Sequence, residues 1–304
     1  MQMILETLKQ FDNTSSNSST KDENSILVGL LGKGIQLSRT PKLHVAEGER
    51  LGMNYVYKLL DTAESDSNSP SLEEIFFSAQ TCGFSGLNVT YPYKQDIMSF
   101  IDVLDDNSKS VGAVNTIVFR DGKSYGHNTD LWGFAEGFLR EMSGVKLSNV
   151  LQVGAGGAGS AVANALTQLN VSNLFITDID YKRASNLASR LMNAQDKTIV
   201  TAINHNEIGT HNFDGLVNTT PVGMAKLPGM PISKDILRPD MWVSDIIYFP
   251  LETELLSTAK QMGCRTLSGA AMAVFQAVKA FEHFTDIKPD SAEMKKTFNA
   301  FDEQ

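Results

Sequence analysis

The sequence predicts an α/β protein of two domains, each built on an open, mainly parallel, doubly wound sheet. A chain of 304 residues, 42% of them hydrophobic and 20% charged, is long enough for two compact cores. From about residue 26 onward, apolar strand-like runs alternate with amphipathic helical stretches, the rhythm of strand–helix–strand units. The second half opens on a strand, a glycine turn and a helix over NVLQVGAGGAGSAVANALTQLN.

The elements follow in order. Residues 1–24 begin with a short amphipathic stretch and run into FDNTSSNSSTKDENS. This Ser/Asn tract is too polar to offset its ordering entropy, so a disordered extension is expected. ILVGLLG (26–32) is the first strand. Pro41 suits the first turn of a helix, which HVAEGERLG continues. NYVYKLLD (54–61) is a strand, and a Ser/Asn/Pro loop covers 64–71. LEEIFFSAQTCG is an amphipathic helix ending at Gly83, and FSGLNVT is a third strand. In the second half NLFITDID is a strand and YKRASNLASRLMNA a helix. GLVNTTPVGM and WVSDIIY are buried strands running into loops, and helices over about 269–284 and 290–301 close the chain. No solenoid-type repeat is present.

Bulk properties exclude several classes. A net charge of −9 with no basic stripe argues against a nucleic-acid partner, while leaving room for a few local cations around an anionic substrate. No apolar run reaches membrane-spanning length, so no membrane partner is expected. MQMILETLKQ is too polar for a signal-peptide core, which favours the cytoplasm and leaves the sequons at Asn13 and Asn17 little weight. Cys82 and Cys264 lack metal-ligand spacing. A disulfide between them stays open, but two buried free thiols in a reducing compartment is the expectation. His205, His211 and His283 also lack ligand spacing, so no metal site is proposed.

The glycine turn is Gly154-Ala155-Gly156-Gly157-Ala158-Gly159. Its first glycine permits a tight turn and the next lets backbone approach a pyrophosphate. A small residue then allows close helix–strand contact, with helix N–H groups facing the phosphates. Asp178 ends the following strand. A carboxylate there accepts hydrogen bonds from the adenosine ribose hydroxyls and repels a 2′-phosphate. Helix capping is the competing role, and Asp180 suits it better. NAD is therefore favoured, with Arg183 keeping NADP as a weaker alternative.

Polar clusters mark the first half: Ser38-Arg39-Thr40-Pro41, Gly86 to Lys94, Gly112 to Thr116, and Gly126 to Asp130. Turn chemistry explains any one of them. Four such clusters at strand or loop ends suit a ligand with several hydroxyls, each needing a donor and an acceptor.

Taken in order, SRTP, GLNVTYPYK, GAVNT, GHNTD, GAGGAG, NTTPVGM and Gly269-x-x-Met272-x-x-x-Gln276 resemble the motif series of the shikimate dehydrogenase family, over about residues 26–300. The resemblance is nearest to the bacterial NAD-dependent quinate/shikimate dehydrogenase branch. The biosynthetic, NADP-dependent enzyme usually has Ser-x-Ser where this chain has Ser38-Arg39-Thr40. It carries an Asn-Arg-Thr-like, phosphate-binding turn where this chain has Asp178-Ile179-Asp180.

The resemblance implies Lys94 and Asp130 as the catalytic pair. It implies Ser38, Thr40, Asn88, Thr90, Asn115, Tyr248 and Gln276 as ligands of the substrate carboxylate and hydroxyls. It places Thr220, Pro221, Gly223 and Met224 along the cofactor and Gly269 near the nicotinamide. The implied reaction is reversible hydride transfer from the C3 hydroxyl of quinate or shikimate, giving 3-dehydroquinate or 3-dehydroshikimate. Lys94 would serve as acid/base and stabilise the developing alkoxide. A neighbouring carboxylate favours a lysine's charged form, so the pair acts through orientation and charge as well as proton transfer.

Among other candidates, His44 on its helix suits packing or surface, and His127 adjoins the Asn-Thr-Asp motif and could line the site. The substrate domain is expected over 25–130 plus 267–304, and the Rossmann-type NAD domain over 131–266, with a cleft between them. The chain would act as a monomer or homodimer. Rival readings are an NADP-preferring biosynthetic shikimate dehydrogenase and a non-catalytic metabolite-binding homologue. Retention of both Lys94 and Asp130 opposes the latter.

Overall fold

The computed structural model describes residues 25–63, 69–194 and 197–302. The Ser/Asn tract of 1–24 and most of the 64–71 loop lie outside these residues. The described chain forms two six-stranded sheets.

The first sheet runs β1 (Ser25–Gly32), β2 (Asn54–Asp61), β3 (Gly86–Val89), β4 (Val103–Leu104), β5 (Thr116–Arg120) and β6 (Lys123–His127), in spatial order β2-β1-β3-β5-β6-β4. The pairs β1–β2, β1–β3 and β4–β6 are parallel. β5 turns antiparallel to both β3 and β6. The hairpin responsible turns at Asp121-Gly122, both at positive φ (51° and 71°), where the twist of such a turn matches that of the strands.

The early helices form for local reasons. α1 (Thr40–Arg50) has Pro41 in its first turn. α2 (Leu72–Thr81) starts on a capping box between Ser71 and Glu74. α3 (Asp106–Val111) is capped by Asp105, and α4 (Thr129–Glu141) by Asn128.

The second sheet runs β7 (Asn149–Val153), β8 (Asn173–Thr177), β9 (Ile199–Ala202), β10 (Gly215–Asn218), β11 (Trp242–Asp245) and β12 (Arg265–Leu267), all parallel, in order β12-β11-β10-β7-β8-β9. Counted within the sheet this is the 3-2-1-4-5-6 order of a dinucleotide-binding fold. Its helices are α5 (Gly157–Gln168), α6 (Tyr181–Ala194) and α7 (Glu254–Gln261), before α8 (Gly269–Thr285) and α9 (Ser291–Asn299) end the chain.

Two helices join the sheets. α4 leaves β6 of the first sheet, yet buries Leu131, Phe134 and Phe138 in the core of the second, beside Val150, Val162 and Trp242. Each such side chain contributes about 1.5–3 kcal/mol on full burial. α8 covers the first sheet, with Phe281 and Phe284 packed on Val28, Tyr55 and Val118. The helices meet at Gly133, where an added Cβ would lie 2.6 Å from the Gln276 backbone nitrogen and 2.8 Å from the Met272 carbonyl oxygen. Only glycine permits so close a crossing.

Cys264 is buried, whereas Cys82 is exposed, which corrects the expectation of two buried thiols. Cys82 is the C-cap of α2, past the last turn that the apolar face can cover. Neither is in a disulfide. Among the described residues, no helix is long and apolar enough to cross a membrane, and no His/Cys/Asp/Glu group could hold a metal ion.

Candidate active site

In each sheet, the strands flanking the reversal of strand order carry the predicted residues just beyond their carboxyl ends. β1 leads to Ser38–Thr40 and β3 to Thr90–Lys94; β7 leads to the glycine turn and β10 to Thr219–Met224. Open α/β sheets bind ligands at these switch points.

Lys94 and Asp130 meet across 36 residues, with Lys94 Nζ donating to Asp130 Oδ2 at 2.6 Å. Each is held from its backbone. The Lys94 carbonyl accepts from Val114 N at 2.8 Å. Asp130 lies in the first turn of α4, where the helix dipole favours a carboxylate. Asn128 fixes that turn, accepting from Leu131 N (3.1 Å) and donating to the Ala113 carbonyl (2.9 Å). The side chains keep 25% and 13% of their surface exposed, so the pair is sheltered but reachable.

Asn88 and Asn115 lie behind this pair, each 4% exposed. Asn115 Oδ1 accepts from Thr129 N at 2.7 Å, and its Nδ2 donates to Thr129 Oγ1 at 3.0 Å. Asn88 Nδ2 donates to Thr116 Oγ1 at 3.1 Å, while its Oδ1 accepts from Tyr57 OH at 2.7 Å. Both amides thus order the floor of the site through protein partners. Ser38 Oγ accepts from Thr40 N at 3.4 Å, and Thr90 N donates to the Leu31 carbonyl at 2.9 Å.

The loop beyond β11 brings Tyr248 to the same place. Its hydroxyl feels the charges of Lys94, Arg39 and Asp130. Although 42% of the residue is exposed, crowding around its phenol makes desolvation push the pKa up. Asp245 anchors that loop, accepting from Asn218 Nδ2 (3.1 Å), Ile247 N (3.0 Å) and Thr253 Oγ1 (2.7 Å). Burial raises the Asp245 pKa against these bonds. Gly269 starts α8 against the same loop, where a Cβ would fall 2.1 Å from the Ile246 carbonyl oxygen. Gln276, further along α8, is half-buried, with Nε2 donating to the Ala273 carbonyl at 3.0 Å.

The glycine turn fits a dinucleotide. Gly154 has φ 105°, closed to side chains, and its backbone nitrogen donates to the Thr177 carbonyl at 2.7 Å. A Cβ on Gly156 or Gly157 would meet nothing within 4 Å, so the backbone here faces open space. Gly156 caps α5 without any side-chain bond to its first N–H groups, which leaves them available to phosphate oxygens. Asp178 closes the turn, with Oδ2 accepting from Ala155 N (2.7 Å) and Oδ1 from Asp180 N (2.9 Å). Asp180 accepts from Lys182 N at 3.0 Å as the start of α6 requires. Arg183 leans on Asp180 at 3.6 Å. Opposite the turn, Asn218 Oδ1 accepts from Thr220 N and Oγ1 (3.0 and 2.7 Å), shaping the Thr220-Pro221 segment. Gly223 N donates to the Leu227 carbonyl at 2.8 Å, and Met224 is 44% exposed.

Several residues that organise this site escaped the sequence reading. Tyr57 looks like one more core aromatic on β2. Gln152 donates to the carbonyls of both Gly154 and Gly159 at 2.9 Å, and its signal was a lone polar residue inside an apolar strand. Asp245 carries a similar signal, an acid inside the run WVSDIIY. Asp61 accepts from Gly34 N, Ile35 N and Gln36 Nε2, bracing the loop before Ser38. His44, His127 and His283 pack within the scaffold. His44 is fully buried with Nδ1 2.9 Å from Tyr55 OH. His127 stacks on His283 at 4.0 Å and bonds Asp105 at 3.0 Å.

Comparison with known proteins bears on the whole arrangement. The shikimate dehydrogenase substrate binding domain matches residues 30–117. A quinate/shikimate dehydrogenase (NAD(+)) of Corynebacterium efficiens is 42% identical over 280 residues, 91% of this chain and 99% of its own. A shikimate dehydrogenase (NADP(+)) of Streptomyces avermitilis is 43% identical over 274 residues, 90% and 94% of the two chains. Among solved structures, the quinate dehydrogenase from Corynebacterium glutamicum in complex with NAD has a TM-score of 0.87 at 42% identity, covering 91% of this chain and 99% of that one.

Proposed function

The chain belongs to the shikimate dehydrogenase family, and on that premise we propose that it is an NAD-dependent dehydrogenase of quinate and shikimate. It reversibly oxidises the C3 hydroxyl, giving 3-dehydroquinate or 3-dehydroshikimate. The observation that carries this reading is the 2.6 Å Lys94–Asp130 pair beyond the carboxyl end of β3, in a chain that also carries a dinucleotide turn closed by Asp178 beyond β7.

When bound, NAD supplies the hydride acceptor. Gly154 to Gly159, Asp178, the Thr220–Met224 segment and Gly269 are the residues that would hold it. Asp178 would accept from the ribose hydroxyls and would repel a 2′-phosphate. Relatives of near-equal identity use NAD in one case and NADP in the other. The choice for NAD therefore rests on Asp178, against which an exposed Arg183 already leaning on Asp180 offers NADP little.

Lys94 Nζ takes and returns the hydroxyl proton, and its charge steadies the alkoxide oxygen. Asp130 orients Lys94 and the reacting hydroxyl. Ser38, Thr40, Thr90, Tyr248 and Gln276 contact the carboxylate and ring hydroxyls, while Asn88 and Asn115 set the floor on which they converge. We assign the substrate unit to 25–130 plus 267–304 and the cofactor unit to 131–266. α8 packed on the first sheet and α4 buried in the second core support that division. The cytoplasm suits two unpaired thiols.

Steady-state kinetics over quinate or shikimate with NAD or NADP test the reading. NAD with quinate is expected to exceed NADP with shikimate in kcat/KM. The reverse order would make this a biosynthetic, NADP-preferring enzyme.

A further inference from the structure

Arg39 stands between Ser38 and Thr40, at the N-cap of α1, and offers no side-chain cap to that helix. Its guanidinium instead lies over three aromatic rings, 5.1 Å from the Phe298 centroid, 5.6 Å from Phe301 and 5.7 Å from Phe249. All three fall within cation–π range, and arginine is the cation that stacks best on aromatic faces.

The rings come from two remote parts of the chain. Phe249 follows Tyr248 in the loop beyond β11 of the second sheet. Phe298 lies on α9, and Phe301 just after it. Phe298 is 1% exposed and its ring meets Tyr248 edge-on at 6.1 Å. It is firmly seated, because Glu47 of α1 accepts from Asp290 N at 2.7 Å at the start of α9. The other wall is equally braced by the Asp245 bonds to Ile247 N and Thr253 Oγ1.

We propose that Arg39 is a positioning residue for the acidic substrate, clamping the Ser38–Thr40 turn to the Tyr248-Phe249 loop so that both walls close around the carboxylate. This rests on the functional reading above. Ser38, Thr40 and Tyr248 descend from different sheets, and Arg39 is the side chain that spans them through Phe249 and Phe298. Its charge adds to the effect. Together with Lys94 it puts two cationic groups where the Tyr248 hydroxyl feels them. Such a site favours a carboxylate over a neutral polyol.

The test is a set of substitutions, Arg39→Met, Arg39→Lys and Phe298→Leu, assayed with quinate and NAD in the full-length protein, with thermal melting as a control for folding. Arg39→Met is expected to raise KM for quinate on the order of 10-fold, with KM for NAD and kcat moving by about 2-fold at most, the mark of lost uniform substrate binding. Arg39→Lys keeps the charge but stacks less well, and recovers part of the loss. Phe298→Leu moves KM for quinate in the same direction. Equal rises in both KM values, or no rescue by lysine, would reduce Arg39 to a structural residue. Wild-type turnover with an unchanged KM in Arg39→Met removes this inference alone. Absence of wild-type turnover removes the functional reading together with it.

Discussion

Lys94 and Asp130 share a 2.6 Å hydrogen-bonded ion pair, though one follows β3 and the other opens α4. The pair is sheltered yet reachable, and its value should appear in turnover. Lys94→Ala is expected to lower kcat by roughly 10²–10⁴, the usual range for a positioned acid/base. Quinate binding by calorimetry should change far less. Retention of more than about a tenth of wild-type kcat would remove the acid/base role.

Asp178 accepts from Ala155 N and Asp180 N, at 2.7 and 2.9 Å, so it shapes the turn besides the ribose role proposed for it. Asp178→Ser removes the charge that repels a 2′-phosphate. The ratio of kcat/KM for NAD to that for NADP should fall by about 10-fold or more, an energy of about 1.4 kcal/mol. An unchanged ratio would confine Asp178 to holding the turn.

Four strands of the second sheet, β7, β8, β10 and β11, were legible because each is an apolar run and its glycine or acid falls where a parallel unit needs it, whereas β9 and β12, four and three residues long, carry too little pattern to be read. β2 and α2 were equally plain from their apolar pattern, although α2 ends at Thr81 rather than at Gly83. The β5–β6 hairpin was not read, since KSYGH lacks strand character and its residues were absorbed into the GHNTD cluster. It forms because Asp121-Gly122 turns the chain and β5 finds β3 as a partner. The α4 helix was hidden for a related reason. Its apolar residues bury in the other sheet's core, which local pattern cannot foresee. Within the site, residue types suggested a polyhydroxylated ligand, but no spacing says that positions 94 and 130 meet. That assignment came from family resemblance. Tyr57 stayed invisible because a buried tyrosine on a strand looks the same whether or not its hydroxyl holds a ligand-site amide.

Tyr57 OH donates to Asn88 Oδ1 at 2.7 Å, and Asn88 is only 4% exposed. Tyr57→Phe leaves that oxygen without its donor, at a cost of about 1–3 kcal/mol for an unsatisfied buried acceptor. Urea unfolding should register a loss in this range. KM for quinate should rise as the floor of the site loosens. Unaltered stability would mean that Asn88 finds another donor.

Acid should weaken the fold before its carboxylates titrate, through two histidines. Burial lowers the pKa of His44 to about 3. Burial, aided by the neighbouring charges of His127 and Lys279, lowers that of His283 to about 4. In the unfolded chain both take protons near pH 6.5. Below that pH the unfolded state binds protons that the native state refuses, so stability is fully present above about 6.5 and falls as pH drops towards 4. The slope approaches about 1.4 kcal/mol per pH unit for each histidine, or about 2.7 for the pair. Asp61, Asp102 and Asp105, whose pKa values are lowered, add losses of the same sign only at lower pH. The raised pKa of Asp245 works in the opposite direction. Urea unfolding at pH 7, 6 and 5 should show this decline, and His44→Phe, which keeps the ring among Tyr55, Tyr57, Phe281 and Phe284, should roughly halve its slope. A slope that His44→Phe leaves intact would place the acid sensitivity elsewhere.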